Sequence, residues 1–183
     1  MTAVETSAPT RFVDFRATLI PALVSRLLCA AMILAVASVG KQLSWEGFTK
    51  WDGAWYTAIA KLGYWTDPAV NIQRPWPFFP LLPGLLRAIA WTGLPEQLTM
   101  VLLNNVVFWV ALAGVYRIAR RHTSHRASQY AVWALALFPA SAVFSMLYPS
   151  AIFLAASVWA FVWVEERRDV AAALAVLVAG LIR

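Results

Sequence analysis

The 35 residues YAVWALALFPASAVFSMLYPSAIFLAASVWAFVWV (130–164) carry no charged side chain. As one α-helix they would be roughly 52 Å long, against about 30 Å for the hydrocarbon core of a bilayer. The run must therefore fold back. Tyr148-Pro149-Ser150 is the natural turn, because proline is tolerated in the first turn of a returning helix. This predicts two antiparallel spans, over residues 130–147 and 149–164. Charges bound the run on both sides: RIARRHTSHR (117–126) precedes it and EERRD (165–169) follows.

Outward from this run, residues 98–116 form another apolar span and residues 20–40 a first one. The first is too long for the apolar part of a signal peptide and has no convincing cleavage site, so it reads as a retained anchor. Residues 1–18 are a polar tail with Arg11 and Arg16 just before that span. Residues 170–183 begin a further span, and fourteen residues do not cross a bilayer. The chain therefore reads as the front part of a longer protein. The bias of basic residues toward the cytoplasm puts Arg117, Arg120, Arg121 and Arg126 inside, together with the tail. Residues 41–96 are then an extracytoplasmic loop. Its apolar part, residues 78–94, holds Pro80, Pro83 and Arg87; were it to cross, the basic loop would fall outside, so it is expected not to cross. Arg26, inside the first span, either reaches back to the cytoplasmic headgroups or meets a lipid phosphate.

Composition agrees with an all-α membrane protein. Hydrophobic residues make up 61% of the chain and charged residues 13%, whereas soluble domains are about half apolar and about a quarter charged. Long Leu, Ala and Val runs without two-residue alternation exclude a membrane barrel. The net charge of +6 suits topology and anionic lipid, with no nucleic acid as partner. Cys29 is the lone cysteine, so no internal disulfide forms and the redox compartment is left open.

The extracytoplasmic loop has internal order. In WDGAWYTAIAKLGYW (51–65), Trp51, Trp55, Ile59 and Leu62 recur at helical spacing, with Asp52, Tyr56 and Lys61 pointing elsewhere. A helix lying in the interface is expected, closed by Gly63. Asp52 can serve as its N-cap, accepting hydrogen bonds from free amides. It can equally serve as a general base, since aromatic surroundings at an interface favour proton acceptance; the two roles are compatible. Glu46, Asp67 and Glu96 lie in less ordered stretches. Arg87, Arg74 and Lys61 are candidates for binding a phosphate or, more plainly, for headgroup contact. Trp51, Trp55, Tyr56, Tyr64, Trp65 and Trp76 could stack on a sugar or form an interfacial aromatic belt. No glycine-rich phosphate loop supports a nucleotide site. His122 and His125 lack the company a metal would need, and no metal site is assigned. Asn104 and Asn105 suit hydrogen bonds between helices.

The run Trp51-Asp52-x-x-Trp55-Tyr56-x-x-Ile59-Ala60-x-x-Gly63-Tyr64, followed by Phe78-Phe79-Pro80-Leu81-Leu82-Pro83 and Arg87, resembles the mannosyltransferase family of the second mannose step in GPI-anchor assembly (PIG-V). Asn105 and Phe138-Pro139 are also similar to family positions. The resemblance covers the chain from about Phe12, and a full-length member is roughly twice as long. It implies a multi-span GT-C-type glycosyltransferase fold, here truncated, in which an essential acid lies in the first extracytoplasmic loop among interfacial helices. Asp52 matches that position. The implied reaction moves mannose from a polyprenyl-phosphate-mannose donor to a lipid or glycolipid acceptor. The donor phosphate would meet Arg87, Arg74 or Lys61, and the sugar Trp51, Trp55, Tyr56 or Tyr64. No cofactor is implied, and a requirement for a divalent metal is left open. Such a protein resides in the cell membrane of a bacterium or the endoplasmic reticulum membrane of a eukaryote. The chain departs from the family at Tyr148-Pro149-Ser150-Ala151, where Tyr-x-Glu-Ser is usual, which bears on acceptor identity. Two other functions stay open: an inactive fragment or subunit of such an enzyme, and a membrane transporter of a lipid or sugar.

Overall fold

Asp14 near the start of the first helix and Arg117 near the end of another meet at 2.8 Å, and this contact sets the direction of the whole bundle. The structure is a computed structural model describing residues 11–38, 51–64 and 74–183. Expectations for Glu46, Trp65, Asp67 and the first ten residues lie outside the described residues. All regular structure described is helical: α1 (Arg11–Ser38), α2 (Asp52–Leu62), α3 (Leu81–Trp91), α4 (Glu96–His122), α5 (His125–Ala136), a 3₁₀ segment (Pro139–Ser145), α6 (Ser150–Glu165) and α7 (Asp169–Ile182). Two helices, α1 and α4, are long and apolar enough to cross a membrane; α5 and the 3₁₀ segment together could make a third span.

Helix α4 is the centre, touching α1, α3, α5, α6 and the 3₁₀ segment. Between helices in lipid the hydrophobic effect has little to gain, so close packing and specific hydrogen bonds must hold them. Small residues provide the first. Ala111, Ala113 and Gly114 of α4 are buried, as are Ala155, Ala156 and Ala160 of α6. A Cβ on Gly114 would stand 2.7 Å from Val158 Cγ1, so only glycine allows this approach. The Trp159 indole then donates to the Val110 carbonyl at 2.9 Å.

Polar stitches provide the second. Pro21 lies inside α1 and has no N–H for the Ala17 carbonyl. The Gln129 side chain of α5 donates to that carbonyl instead, at 3.1 Å. Arg117 joins Asp14 of α1 to Glu166 at the end of α6, and Arg121 pairs with Glu165 and Glu166. The start of α1 and the ends of α4 and α6 therefore share one end of the bundle. Deeper in, Arg26 reaches Ser145, which in turn donates to Asn105. The contacts thus pair early α1 with late α4, and the two helices run antiparallel.

At the opposite end, Tyr56 and Ala60 of α2, Leu82, Leu86 and Ile89 of α3, Met100 of α4, Leu147 and Ile182 of α7 form one buried cluster. Both ends of the segment between α1 and α4 thus lie at this end. Helix α3 is eleven residues, about 16 Å long and short of a bilayer core.

Three details correct the sequence reading. First, α1 begins at Arg11, so the polar tail expected over residues 1–18 is helical in its last part. Arg26 then lies about 22 Å along the helix, and its side chain is turned to the 3₁₀ segment. Its guanidinium donates to Ser25 Oγ, the Ser141 carbonyl, Ser141 Oγ and Ser145 Oγ, and it sits 4.6 Å over the Phe108 ring. Four of five donors are thereby satisfied by neutral groups, which leaves little for a phosphate.

Second, the span expected over residues 130–147 is broken. Phe138 is extended, Pro139 opens the 3₁₀ segment, and the chain bends by 72° there. A residue before proline is pushed out of the helical region, which is the physical cause. The Ser141 hydroxyl donates to the Ala136 carbonyl at the end of α5, and Arg26 holds Ser141 in place. Third, Tyr56, a candidate for contact with a sugar, is buried, as the residues of α2 show next.

Candidate functional site

Helix α2 starts without a side-chain cap. Trp51 holds the N-cap position at φ +52°, a backbone conformation that costs a non-glycine residue on the order of 1–3 kcal/mol. Asp52 is the first helical residue rather than the cap, and it is exposed. There its charge still favours the positive end of the helix dipole, while its oxygens stay free of a capping bond. The helix ends at Gly63, φ +76°, whose N–H meets the Ile59 carbonyl at 2.8 Å.

The face of α2 buried in the bundle is Gly53, Tyr56, Ile59 and Ala60, while Trp51 and Leu62 of the Trp51, Trp55, Ile59, Leu62 stripe lie on the open side. Trp51 is 78% exposed and Leu62 70%, whereas Tyr56 is 5% exposed. Phe78 is the cause. Its ring stacks on Trp55 at 5.5 Å and meets Tyr56 edge-on at 5.1 Å, and its carbonyl accepts from the Tyr64 hydroxyl at 2.7 Å. The two aromatic motifs thus become one unit. This partner comes from a different part of the chain, so the periodicity of α2 alone could not reveal it.

The same contacts sort the aromatic candidates. Tyr56 offers no open ring face for a sugar, and one face of Trp55 is covered by Phe78. Trp51 and Trp76 are the open ones, Trp76 at 67% exposure.

Around Asp52 the structure gathers residues that motif reading passes over. Tyr56 is one turn along α2, on the same face. Burial pushes its phenol above the ordinary value, Asp52 and Tyr64 add to this, and Arg183 opposes it. The Tyr148 phenol is also raised, by burial first and then by the Asp52 charge. Asp52, Tyr56, Tyr148 and Arg183 are therefore within electrostatic reach of one another in this chain of pairs. The Arg183 guanidinium lies 5.6 Å over the Phe153 ring, next to Ile182 of the buried cluster. Tyr148 is held from behind: the Asn104 amide donates to the Met146 and Tyr148 carbonyls.

The cations expected from the sequence are placed differently. Lys61 is nine residues from Asp52, about two and a half turns, so it leaves from the opposite face of α2; it is exposed. Arg87 is exposed on α3, whose buried side is Leu82, Pro83, Leu86 and Ile89. Among the described residues neither pairs with an acid. Arg74 is half-buried ahead of Phe78.

At the other end of the bundle, His125 Nδ1 is 2.7 Å from the Tyr116 hydroxyl and His122 faces Glu165 at 3.3 Å. Among the described residues no three His, Cys, Asp or Glu side chains converge to hold a metal. Comparison of the chain with protein-family models, with curated proteins and with solved structures gave no match.

Proposed function

We propose that this chain belongs to a multi-pass membrane glycosyltransferase that moves mannose from a polyprenyl-phosphate donor to a lipid or glycolipid acceptor. The membrane reading rests on the two long apolar helices, with the end carrying α2 and α3 outside the cytoplasm. The observation that supports the catalytic reading best is the exposed, uncapped Asp52 at the start of an interfacial helix. It stands beside two tyrosines, where the family-like motif puts an essential acid.

In this reaction the acceptor hydroxyl oxygen attacks the anomeric carbon of the donor. The bond from that carbon to the phosphate oxygen breaks, the polyprenyl phosphate leaves with the electron pair, and Asp52 takes the hydroxyl proton. Such base assistance contributes about 10²–10⁴ in rate. A cation must meet the departing phosphate. Arg87 and Arg74 remain candidates; Arg183, whose charge reaches Tyr56, joins them; Lys61 is disfavoured by its face.

A carrier would instead need open polar groups along a path through the bundle. The polar groups there, Arg26, Ser141, Ser145 and Asn105, are largely occupied with one another. The full-length protein, purified and incubated with labelled polyprenyl phosphomannose and total membrane lipids, should yield mannosylated lipid. Retention of all label in the donor across bacterial and eukaryotic lipid extracts contradicts the proposal.

A further inference from the structure

The end of the bundle opposite Asp52 has a groove of its own. It is open, of about 460 Å³, and lies between the first turns of α1, the end of α4 and the start of α5. Arg16, Ile20 and Pro21 line it from α1, and His125, Gln129 and Trp133 from α5. The Gln129 amide is engaged with the Ala17 carbonyl. The Tyr116 hydroxyl engages His125 Nδ1 at 2.7 Å, which leaves Nε2 as the other ring nitrogen. Arg16 is exposed and makes no hydrogen bond or ion pair among the described residues.

Charge balance decides what fits. Of the described acids at this end, Asp14, Glu165 and Glu166 are engaged by Arg117 and Arg121, and Asp169 opens α7 outside the lining of the groove. Arg16 has no such partner, and Arg126 is exposed beside His125. The groove therefore joins an uncompensated positive side to an apolar strip that runs one to two helical turns deeper: Ile20 is one turn from Arg16, and Trp133 two turns from His125. Its volume lies within the usual range for small-molecule sites. It suits a phosphate with the first methylenes of the chain attached to it.

We propose that this groove binds an anionic phospholipid, with its phosphate at Arg16, beside His125, and its acyl chain along Ile20, Pro21 and Trp133. Basic pockets between membrane helices select such headgroups by charge. A zwitterionic lipid brings the same phosphate, but its ammonium meets the surplus of arginine at this end. The proposal rests on the membrane reading of α1 and α4 and is independent of mannosyl transfer.

The test is native mass spectrometry of the full-length protein, offered phosphatidylglycerol and phosphatidylcholine with identical acyl chains. The wild type should retain phosphatidylglycerol in preference. Arg16→Gln should lower that preference about fivefold, the effect of one arginine near a membrane surface. Trp133→Ala should weaken retention of both lipids alike. Arg167→Gln, exposed at the same end but away from the groove, should leave the preference unchanged. Equal retention of the two lipids by the wild type, an unchanged preference in Arg16→Gln, or an equal loss in Arg167→Gln overturns the proposal. A protein that keeps its helical fold in buffer without lipid or detergent overturns the membrane reading beneath it, a separate failure.

Discussion

One end of this helix bundle is held by ions and the other by rings. Where α1 begins and α4 and α6 end, Asp14, Glu165 and Glu166 are each bound to arginine at 2.7–2.8 Å. Where α2 and α3 pack, Phe78 and an apolar cluster make the joints. Asp52, Lys61, Arg87 and Arg183 enter no ion pair there among the described residues. These carboxylates are held by arginine and fix geometry, whereas Asp52 is exposed and enters no ion pair among the described residues. The second end leaves its charges available, which is what surface chemistry on a lipid-linked sugar requires.

The largest effect expected from this contrast is all or none. Single cysteines placed at Thr92 and Ser124 in a Cys29→Ala background should differ completely toward an impermeant thiol reagent. Thr92→Cys should label in intact cells and Ser124→Cys only after permeabilisation, as the basic loop predicts. Labelling of both in intact cells would put the two ends on one side and break the comparison.

Next in size is the ionic end. Arg117→Ala leaves Asp14, whose side chain is 0% exposed, without its partner, and should lower stability by about 3–5 kcal/mol. Removing Asp14 as well should recover part of that loss. Mannosyl transfer per folded molecule should hardly change, because the ionic end holds the bundle and does no chemistry. Chemical unfolding in micelles, with turnover on the same samples, measures both.

The aromatic end should respond in the opposite sense. Phe78→Ala removes the contacts with Trp55 and Tyr56 and should cost about 2 kcal/mol. By loosening α2 against α3 it should lower transfer by on the order of 10². A variant equally impaired in stability and unimpaired in turnover would show that the aromatic unit is only a packing device.

The smallest effect concerns Trp51. Glycine adopts positive φ without penalty, and the exposed indole contributes little packing. Trp51→Gly should therefore raise stability by about 1 kcal/mol while weakening transfer if the ring contacts sugar. Unchanged thermal stability would mean that the +52° conformation carries no strain.

Much of the architecture could be read from residue order. The charge-free run required a turn, and α6 begins at Ser150, directly after Pro149. Gly63 ends α2 as expected from its freedom at positive φ. What stayed hidden depends on partners distant in sequence. Pro139 carried the signal for the break, yet a proline inside an apolar run is tolerated when something satisfies the freed carbonyls. Here the Ser141 hydroxyl donates to the Ala136 carbonyl, and Arg26, more than a hundred residues earlier, holds Ser141 in turn. The same holds for Gln129 at the Pro21 site. In α2, the bulky residues at helical spacing gave no sign that Tyr56 is buried, because its partner Phe78 comes from another part of the chain. That the Asp52 charge reaches Tyr148, and that of Arg183 reaches Tyr56, follows only from the packing of Leu147 and Ile182 into one buried cluster with Tyr56. Asp52 itself was legible as a motif, though its exposure and its place one residue inside the helix were not.

The central claim, that Asp52 is the proton acceptor of a mannosyl transfer, is tested most directly by Asp52→Asn in the full-length protein. The substitution keeps size and shape. It removes only a favourable dipole contact worth about 0.3–1 kcal/mol, since no capping bond depends on the carboxylate. Thermal stability and turnover measured on one preparation should then diverge, with melting nearly unchanged and the transfer rate lower by on the order of 10²–10⁴. Turnover per folded molecule equal to wild type would contradict the account and assign Asp52 to the helix dipole alone.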